Sequence, residues 1–229
     1  MHVILIDTNI YIDLYKTYSQ ETQKALSILP EIKIDIFITE HIAREVKRNK
    51  LLKTKEFLEQ HFGKIAMPNI SVPTNVMPLD DELHKKIHKG LEEIKEKRKE
   101  LSNQIEIAIS KLLHSISTST DPVSKILNPV FTKAIEEDKH EISRARRRRE
   151  LGNPPGKRSD VLGDQIVWEQ LLTYLSSHKN SDVWIISRDS DYYTFYEGEK
   201  FLNPLLREEL EHVEVGEIHL HDSLFKAME

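Results

Sequence analysis

The chain contains no cysteine among its 229 residues, and this absence excludes several kinds of chemistry. Disulfide bonds, zinc sites built on thiolates and catalysis by a thiol nucleophile all require cysteine. A protein without disulfides suits the reducing cytosol, so we expect a cytoplasmic location.

Long apolar runs and nucleotide-binding motifs are missing as well. No stretch approaches the roughly 20 apolar residues of a membrane-spanning helix, and the first residues lack the basic segment of a signal peptide. The sequence has neither a glycine-rich phosphate loop nor a serine nucleophile elbow. We therefore expect no membrane association, no nucleotide hydrolysis and no acyl transfer.

The formal net charge is -5, but charge is distributed unevenly along the chain, and two short segments are strongly basic. One is a run of four arginines, and the other follows a loop rich in glycine and proline. Such segments are candidates for binding the phosphate backbone of nucleic acid. The arginine run also suits the solvated C-terminal end of a helix, where the helix dipole favours cations. The candidate residues are Arg146, Arg147, Arg148, Arg149, Lys157 and Arg158.

Strand-like and helix-like patterns of apolar residues alternate along the chain. Residues 3–6 form an unbroken aliphatic run that is typical of a buried strand in a parallel sheet, and runs at 34–38 and 182–187 resemble it. Segments with helical spacing separate these runs, which predicts an α/β fold with a parallel sheet and right-handed crossovers. Alternating apolar residues over 213–218 predict an edge strand.

Residues 79–150 show helical spacing, without the strand-like runs found in the rest of the chain. Over 83–116 the apolar residues recur at steps of three and four, which is typical of a long amphipathic helix with a narrow apolar stripe. A second helix is predicted over 123–142, and the two should form an antiparallel hairpin because neither stripe is wide enough to fold alone. The predicted organisation is an α/β domain formed by 1–78 and 151–229, with the helical hairpin inserted between them.

Acidic residues follow two of the predicted strands. Asp7 follows the first strand and Asp189 follows the strand at 182–187. Since parallel strands end at the same edge of a sheet, these two acids should meet there, and Glu45 and Asp164 lie on helices that could lean over the same place. Each acid also has an ordinary structural explanation, such as a helix cap, a turn or an exposed helical position.

Four carboxylates gathered at one place repel each other. Two unit charges 4 Å apart cost roughly 4 kcal/mol at an effective dielectric constant of ~20, which is large beside a net stability of about 5 to 15 kcal/mol. Divalent cations accept carboxylate ligands and offset this repulsion, so the acids predict a site for Mg²⁺ or Mn²⁺. Two such ions can activate a water and stabilise the leaving oxygen during phosphodiester hydrolysis.

At these residues the sequence resembles the PIN domain, the nuclease fold of many toxins and RNA-processing enzymes. The matching motifs are residues 6–9 at the end of the first strand, Gly163-Asp164 at the start of a late helix, and residues 187–191 after a late strand. Residues 152–157 followed by 163–169 are similar to the larger bacterial PIN-like proteins that carry a helical insertion.

The resemblance implies a set of site residues. The catalytic acids would be Asp7, Glu45, Asp164 and Asp189, the polar supports Asn9 and Ser187, and a further metal-ligand candidate Asp191. Members of the family are typically Mg²⁺- or Mn²⁺-dependent ribonucleases, and some are toxins held inactive by an antitoxin.

We therefore expect an α/β PIN-like fold and the activity of a metal-dependent endoribonuclease, with a toxin or defence role as one form of it. Asp7, Asp164 and Asp189 would hold the ions, and Glu45 would position or deprotonate the attacking water. Two alternatives stay open, namely a nuclease specific for structured DNA and an inactive RNA-binding or scaffold protein. The protein partners that this interpretation allows are an antitoxin and a second copy of the chain.

Overall fold

The structure, a computed structural model, describes residues 1–16, 19–31, 35–62, 82–156 and 162–228. The strands are β1 (His2–Ile6), β2 (Asp35–Phe37), β3 (Asp182–Ile186), β4 (Tyr193–Tyr196), β5 (Glu199–Leu202) and β6 (Ile218–His221). The helices are α1 (Thr8–Asp13), α2 (Gln20–Ile28), α3 (Glu40–Phe62), α4 (Glu82–Ser117), α5 (Pro122–Phe131), α6 (Lys139–Leu151), α7 (Gly163–Ser176), α8 (Pro204–His212) and α9 (Leu224–Met228), with a short 3₁₀ helix at Leu29–Glu31.

A four-stranded parallel sheet forms the centre of the fold. Its strand order is β2-β1-β3-β6, and each neighbouring pair is parallel. Val3, Ile4, Leu5 and Ile6 of β1 are at most 2% exposed, because helices cover both faces of the sheet. The predicted parallel α/β fold is confirmed. An edge strand is present, but β6 overlaps the segment predicted for it, 213–218, only at Ile218. The antiparallel hairpin β4-β5 was not predicted.

The second helix predicted over 123–142 is wrong, because α5 and α6 are separate helices. Between them Ile135 pairs with the chain that follows β2. Its N–H donates to the Ile38 carbonyl and its carbonyl accepts from the Glu40 N–H, both at 3.0 Å. The backbone therefore exchanges helical hydrogen bonds for a bridge between Thr39 and Ile135.

A capping box then starts α6. The Asp138 side chain accepts hydrogen bonds from the N–H groups of His140 and Glu141, each at 2.7 Å. In return, the Asp138 N–H donates to the Glu141 carboxylate at 2.9 Å. This reciprocal arrangement satisfies N–H groups that the first turn of a helix leaves without partners.

The chain divides into two compact units. The first comprises Met1–Lys53 and Pro122–Glu229, and the second comprises Thr54–Asp121. The second unit contains the end of α3 and the long helix α4, with a mainly apolar groove of about 440 Å³ between them. Because α5 and α6 belong to the first unit, the division differs from the predicted insertion over 79–150. None of the described helices is both long and apolar enough to cross a membrane.

Arg148 joins α6, α7 and α8 within the first unit. Its Nε donates to Glu169 Oε1 at 2.9 Å and its Nη2 donates to Glu209 Oε1 at 2.6 Å. Its Nη1 donates to the Pro154 carbonyl at 2.5 Å, and the side chain is only 4% exposed. The prediction that Arg148 binds nucleic acid is therefore wrong, because every part of its guanidinium is engaged inside the protein.

We expect Arg148→Ala to lower the free energy of unfolding by about 3 to 5 kcal/mol, because it removes the buried one of the two arginines, Arg144 and Arg148, that bind the buried Glu169 carboxylate. Urea unfolding followed by circular dichroism measures this change. Arg147→Ala is the matched control, since Arg147 is 69% exposed and its nearest acid, Glu150, is 3.7 Å away. It should cost less than about 0.5 kcal/mol. Equal losses in the two variants would contradict a role for the buried network.

Candidate active site

Asp7 lies at the carboxyl edge of the sheet, beside Ser187 of the neighbouring strand. Strand pairing continues past β1, because the Asp7 N–H donates to the Ile186 carbonyl at 2.9 Å. The Ser187 hydroxyl donates to Asp7 Oδ2 at 2.5 Å, and the Asn9 amide donates to the same oxygen at 2.8 Å. Although Asp7 precedes α1, its side chain makes no capping hydrogen bond with that helix. Helix capping therefore does not explain this aspartate.

Ser187 also organises the loop that follows β3. Its hydroxyl accepts a hydrogen bond from the Asp189 N–H at 2.9 Å, and its carbonyl accepts from the Tyr193 hydroxyl at 2.6 Å. Asp189 Oδ1 in turn accepts from the Asp191 N–H at 3.0 Å. One buried serine thus links Asp7 to the two acids of the loop.

Glu45 reaches the same edge from the second turn of α3. Its Oε2 accepts a hydrogen bond from the Thr8 hydroxyl at 3.0 Å and lies 3.8 Å from His41 Nε2. Thr8 begins α1, so this contact ties α3 to the segment that carries Asp7. His41 was not predicted as a site residue, although its position one turn before Glu45 was a usable signal.

Asp164 lies in the first turn of α7. The N-cap residue of this helix, Leu162, makes no side-chain capping hydrogen bond, and Asp164 is already helical. Any side chain at Gly163 would collide with the His41 ring, so glycine permits close packing of α7 against α3. This contact places Asp164 near Glu45.

The four acids line one cavity of about 280 Å³. They come from four separate segments of the chain, and the structure brings all four together. Five residues of the lining were not predicted as site residues, namely Thr8, Ile12, Lys16, Asn49 and Lys53. The cavity is lined by Asp7, Thr8, Asn9, Ile12, Lys16, Glu45, Asn49, Lys53, Asp164 and Asp189.

Burial and mutual repulsion raise the pKa of two of these acids. The pKa of Asp164 rises from 3.8 to about 7, mainly because of burial and then because of the charges of Asp7, Glu45, Asp189 and Asp191. Burial also raises the pKa of Asp7; Asp189 and Glu45 act in the same direction, and the hydrogen bond from Ser187 opposes them. The acids therefore repel one another when no cation is bound.

A divalent cation fits the chemistry of this lining. Its acidic members offer carboxylate oxygens, the ligands that Mg²⁺ and Mn²⁺ prefer. Asn9 adds a buried Oδ1 that has no hydrogen-bond partner among the described residues. In the part of the chain that the structure describes, no group of three acidic or histidine side chains is arranged to hold an ion as it stands. Hydrogen bonds to protein groups occupy Asp7 Oδ2, Glu45 Oε2 and Asp189 Oδ1.

The predicted nucleic-acid-binding residues are not part of this cavity. Arg146 and Arg147 are exposed on α6 and Arg149 is half-buried there, and none of these three lines the cavity. Lys157 and Arg158 lie outside the described residues. The role of the exposed arginines stays a prediction.

The sequence model of a family described as PIN-like domain matches residues 3–206. The chain belongs to this PIN-like domain family. The match extends from β1 into α8, so it spans the helices α4, α5 and α6 as well as the sheet. Comparison with curated proteins and with solved structures gave no match. The PIN-like domain has a nuclease-type fold, which makes nucleic acid the substrate class that the family indicates.

The raised pKa of Asp164 predicts a pH-dependent stability of the PIN-like domain. Between about pH 4 and pH 7 the folded protein keeps this proton while the unfolded chain has lost it, so the contribution of Asp164 to stability falls as the pH rises. Asp164→Asn removes the effect. In metal-free buffer it should raise the melting temperature by roughly 5 °C at pH 8 and leave it unchanged at pH 4.

The control for this measurement is Glu208→Gln, which neutralises an exposed acid on α8. Its melting temperature should follow that of the wild type throughout the pH range. A difference between Asp164→Asn and wild type that is the same at pH 4 and pH 8 would contradict the predicted protonation.

Proposed function

We propose that this PIN-like domain is a metal-dependent nuclease that cleaves RNA at internal phosphodiester bonds. The observation that carries the proposal is the convergence of Asp7, Glu45, Asp164 and Asp189 on one cavity at the carboxyl edge of the sheet. Ligands and reacting groups collect at this edge in open α/β folds. Membership in the PIN-like family supports nucleic acid as the substrate class.

The metal ion would be held by Asp7, Asp164 and Asp189, with Asp191 as a further ligand. Bound Mg²⁺ or Mn²⁺ would supply an activated water and would stabilise the charge that develops on the phosphodiester oxygens. The cation would also offset the repulsion that raises the pKa of Asp164.

Neighbouring polar side chains orient these acids, and Glu45 accepts a proton from the attacking water. Ser187 and Asn9 hold Asp7 through the same oxygen, Oδ2, which fixes the direction of its carboxylate. The Thr8 hydroxyl holds Glu45 through Oε2. We assign to Glu45 the positioning of the attacking water and the acceptance of its proton, because a carboxylate fixed at one oxygen is oriented for this task.

The choice of RNA as the substrate is more specific than the choice of nucleic acid, and it rests on the resemblance to the ribonucleases of the PIN family. A toxin role with a neighbouring antitoxin would be a special case of it. Structured DNA is the competing substrate, and an inactive scaffold protein is the competing function. Both are decided by the experiment that tests catalysis.

We expect Asp7→Asn and Asp164→Asn each to lower the rate of Mn²⁺-dependent cleavage of single-stranded RNA at least 100-fold, a loss that follows if both carboxylates act in the reaction. Cleavage of a labelled oligonucleotide measures the rate, and circular dichroism checks the fold. Glu40→Gln is the matched control, because Glu40 lies on the same helix as Glu45 but pairs with Arg44 outside the cavity. Its rate should equal that of the wild type.

The same assay should include flapped DNA as a competing substrate. Preferential cleavage of DNA would replace RNA as the substrate while leaving the site intact. Mn²⁺ should also raise the melting temperature of the wild type, since a ligand that binds only the folded state stabilises it. Absence of both cleavage and this stabilisation would identify a scaffold protein and overturn the proposed nuclease.

A further inference from the structure

The His41 ring lies between Glu45 and the start of α7, which carries Asp164. On one side its Nε2 is 3.8 Å from Glu45 Oε2. On the other side the ring packs against Gly163, the residue before Asp164. The side chain is largely buried, with 22% of its surface exposed. A side chain of α3 therefore contacts both of the helices that bring acids to the cavity.

The contact of His41 with Glu45 is not a hydrogen bond. At 3.8 Å the two atoms are beyond hydrogen-bonding distance, whereas the Thr8 hydroxyl donates to the same oxygen at 3.0 Å. His41 does not line the cavity of the acids either. Thr8 thus supplies the hydrogen bond to Glu45, and His41 supplies bulk between α3 and α7.

The fit between His41 and Gly163 leaves no space for another atom. A Cβ atom on Gly163 would lie 2.2 Å from His41 Nε2 and 2.9 Å from its Cε1. Nonbonded heavy atoms meet at about 3.5 Å, so alanine at this position would displace the ring or the helix by about 1 Å. Gly163 is not among the residues with positive φ. The close contact, and not the backbone conformation, is therefore what requires glycine here.

This packing fixes the start of α7, where no side chain caps the helix. Leu162 occupies the N-cap position and makes no side-chain capping hydrogen bond. Asp164 follows Gly163 directly, so any shift of Gly163 moves the Asp164 carboxylate relative to Glu45, which is tied to Thr8 beside Asp7. Mg²⁺ accepts oxygen ligands in a narrow range near 2 Å. A displacement of about 1 Å is therefore large for an ion held by several of these acids.

We propose that His41 is a positioning residue of the site. Its ring, packed against Gly163, sets the distance between Asp164 and the other three acids at which a divalent cation binds. His41 touches neither the cation nor the substrate in this role, and it acts through the place of α7. This inference rests on the proposed metal-dependent function.

The test compares Gly163→Ala, His41→Ala and the double variant in the full-length chain, with Gly90→Ala as the matched control. Gly90 is also helical, and a Cβ atom there would meet no atom within 4 Å. Alanine is the better helix former at both positions, so the collision with His41 is the difference under test. Isothermal titration calorimetry with Mn²⁺ alone measures the affinity without nucleic acid, and circular dichroism checks the fold.

Gly163→Ala and His41→Ala should each lower the affinity for Mn²⁺ about tenfold, at the lower end of the range for residues that orient metal ligands. The double variant should bind Mn²⁺ more tightly than either single variant, because the new methyl group occupies space that the ring has vacated. Two residues that contribute separately to stability would not suppress each other in this way. Gly90→Ala should bind Mn²⁺ as the wild type does.

Three results would overturn the positioning role alone, in a chain that binds Mn²⁺. They are unchanged affinity in both folded single variants, a loss in the double variant equal to the product of the two single losses, and an equal loss in Gly90→Ala. If Gly163→Ala does not fold, His41→Ala decides, since a tenfold loss supports the role and wild-type affinity overturns it. A wild-type chain that binds no Mn²⁺ would contradict the proposed metal-dependent function itself, and the positioning role would fail with it.

Discussion

The pairing of β1 with β3 is the constraint on which the rest of the site depends. It continues one residue beyond β1, where the Asp7 N–H donates to the Ile186 carbonyl, and it holds Ser187 beside Asp7. The Ser187 hydroxyl then donates to Asp7 and accepts from the Asp189 N–H. Buried aliphatic side chains on both strands fix the register of this pairing. The places of both acids thus follow from the packing of the sheet.

Gathering acids at this edge works against the stability of the fold, and α7 shows how the fold retains them. Asp164 would relieve the repulsion if the start of α7 moved away from the other acids. That helix is anchored by contacts along its length, since Gly163 packs against His41 and the Trp168 indole N–H donates to Glu209 at 2.7 Å. Glu169 accepts from Arg148 one residue later. Because α7 is held in this way, the Asp164 carboxylate stays buried beside the other acids, and its pKa is raised.

Periodic patterns in the sequence predicted β1, β3 and α4. The rule that parallel strands end at one edge predicted that Asp7 and Asp189 lie together, and both line the same cavity. Features that depend on distant partners had no such signal. The break between α5 and α6 comes from backbone pairing of Ile135 with the chain after β2, which is about 100 residues away in sequence. In the sequence nothing distinguishes Arg148 from the arginines beside it. In the structure it is buried and forms ion pairs with Glu169 and Glu209, which are distant in the sequence. Local spacing and propensity carry no information about such contacts.

The helices α5 and α6 are best understood as part of the body that holds the site. Ser124 of α5 forms hydrogen bonds with Tyr15 at 3.0 Å and with Lys50 at 2.7 Å, so it links the segment after α1 to α3. Leu127 is fully buried in the same core, and Arg148 of α6 binds α7 and α8. These contacts hold the helices that carry Glu45 and Asp164. The PIN-like match over residues 3–206 includes α5 and α6, so the helices that make these supporting contacts lie within the matched region.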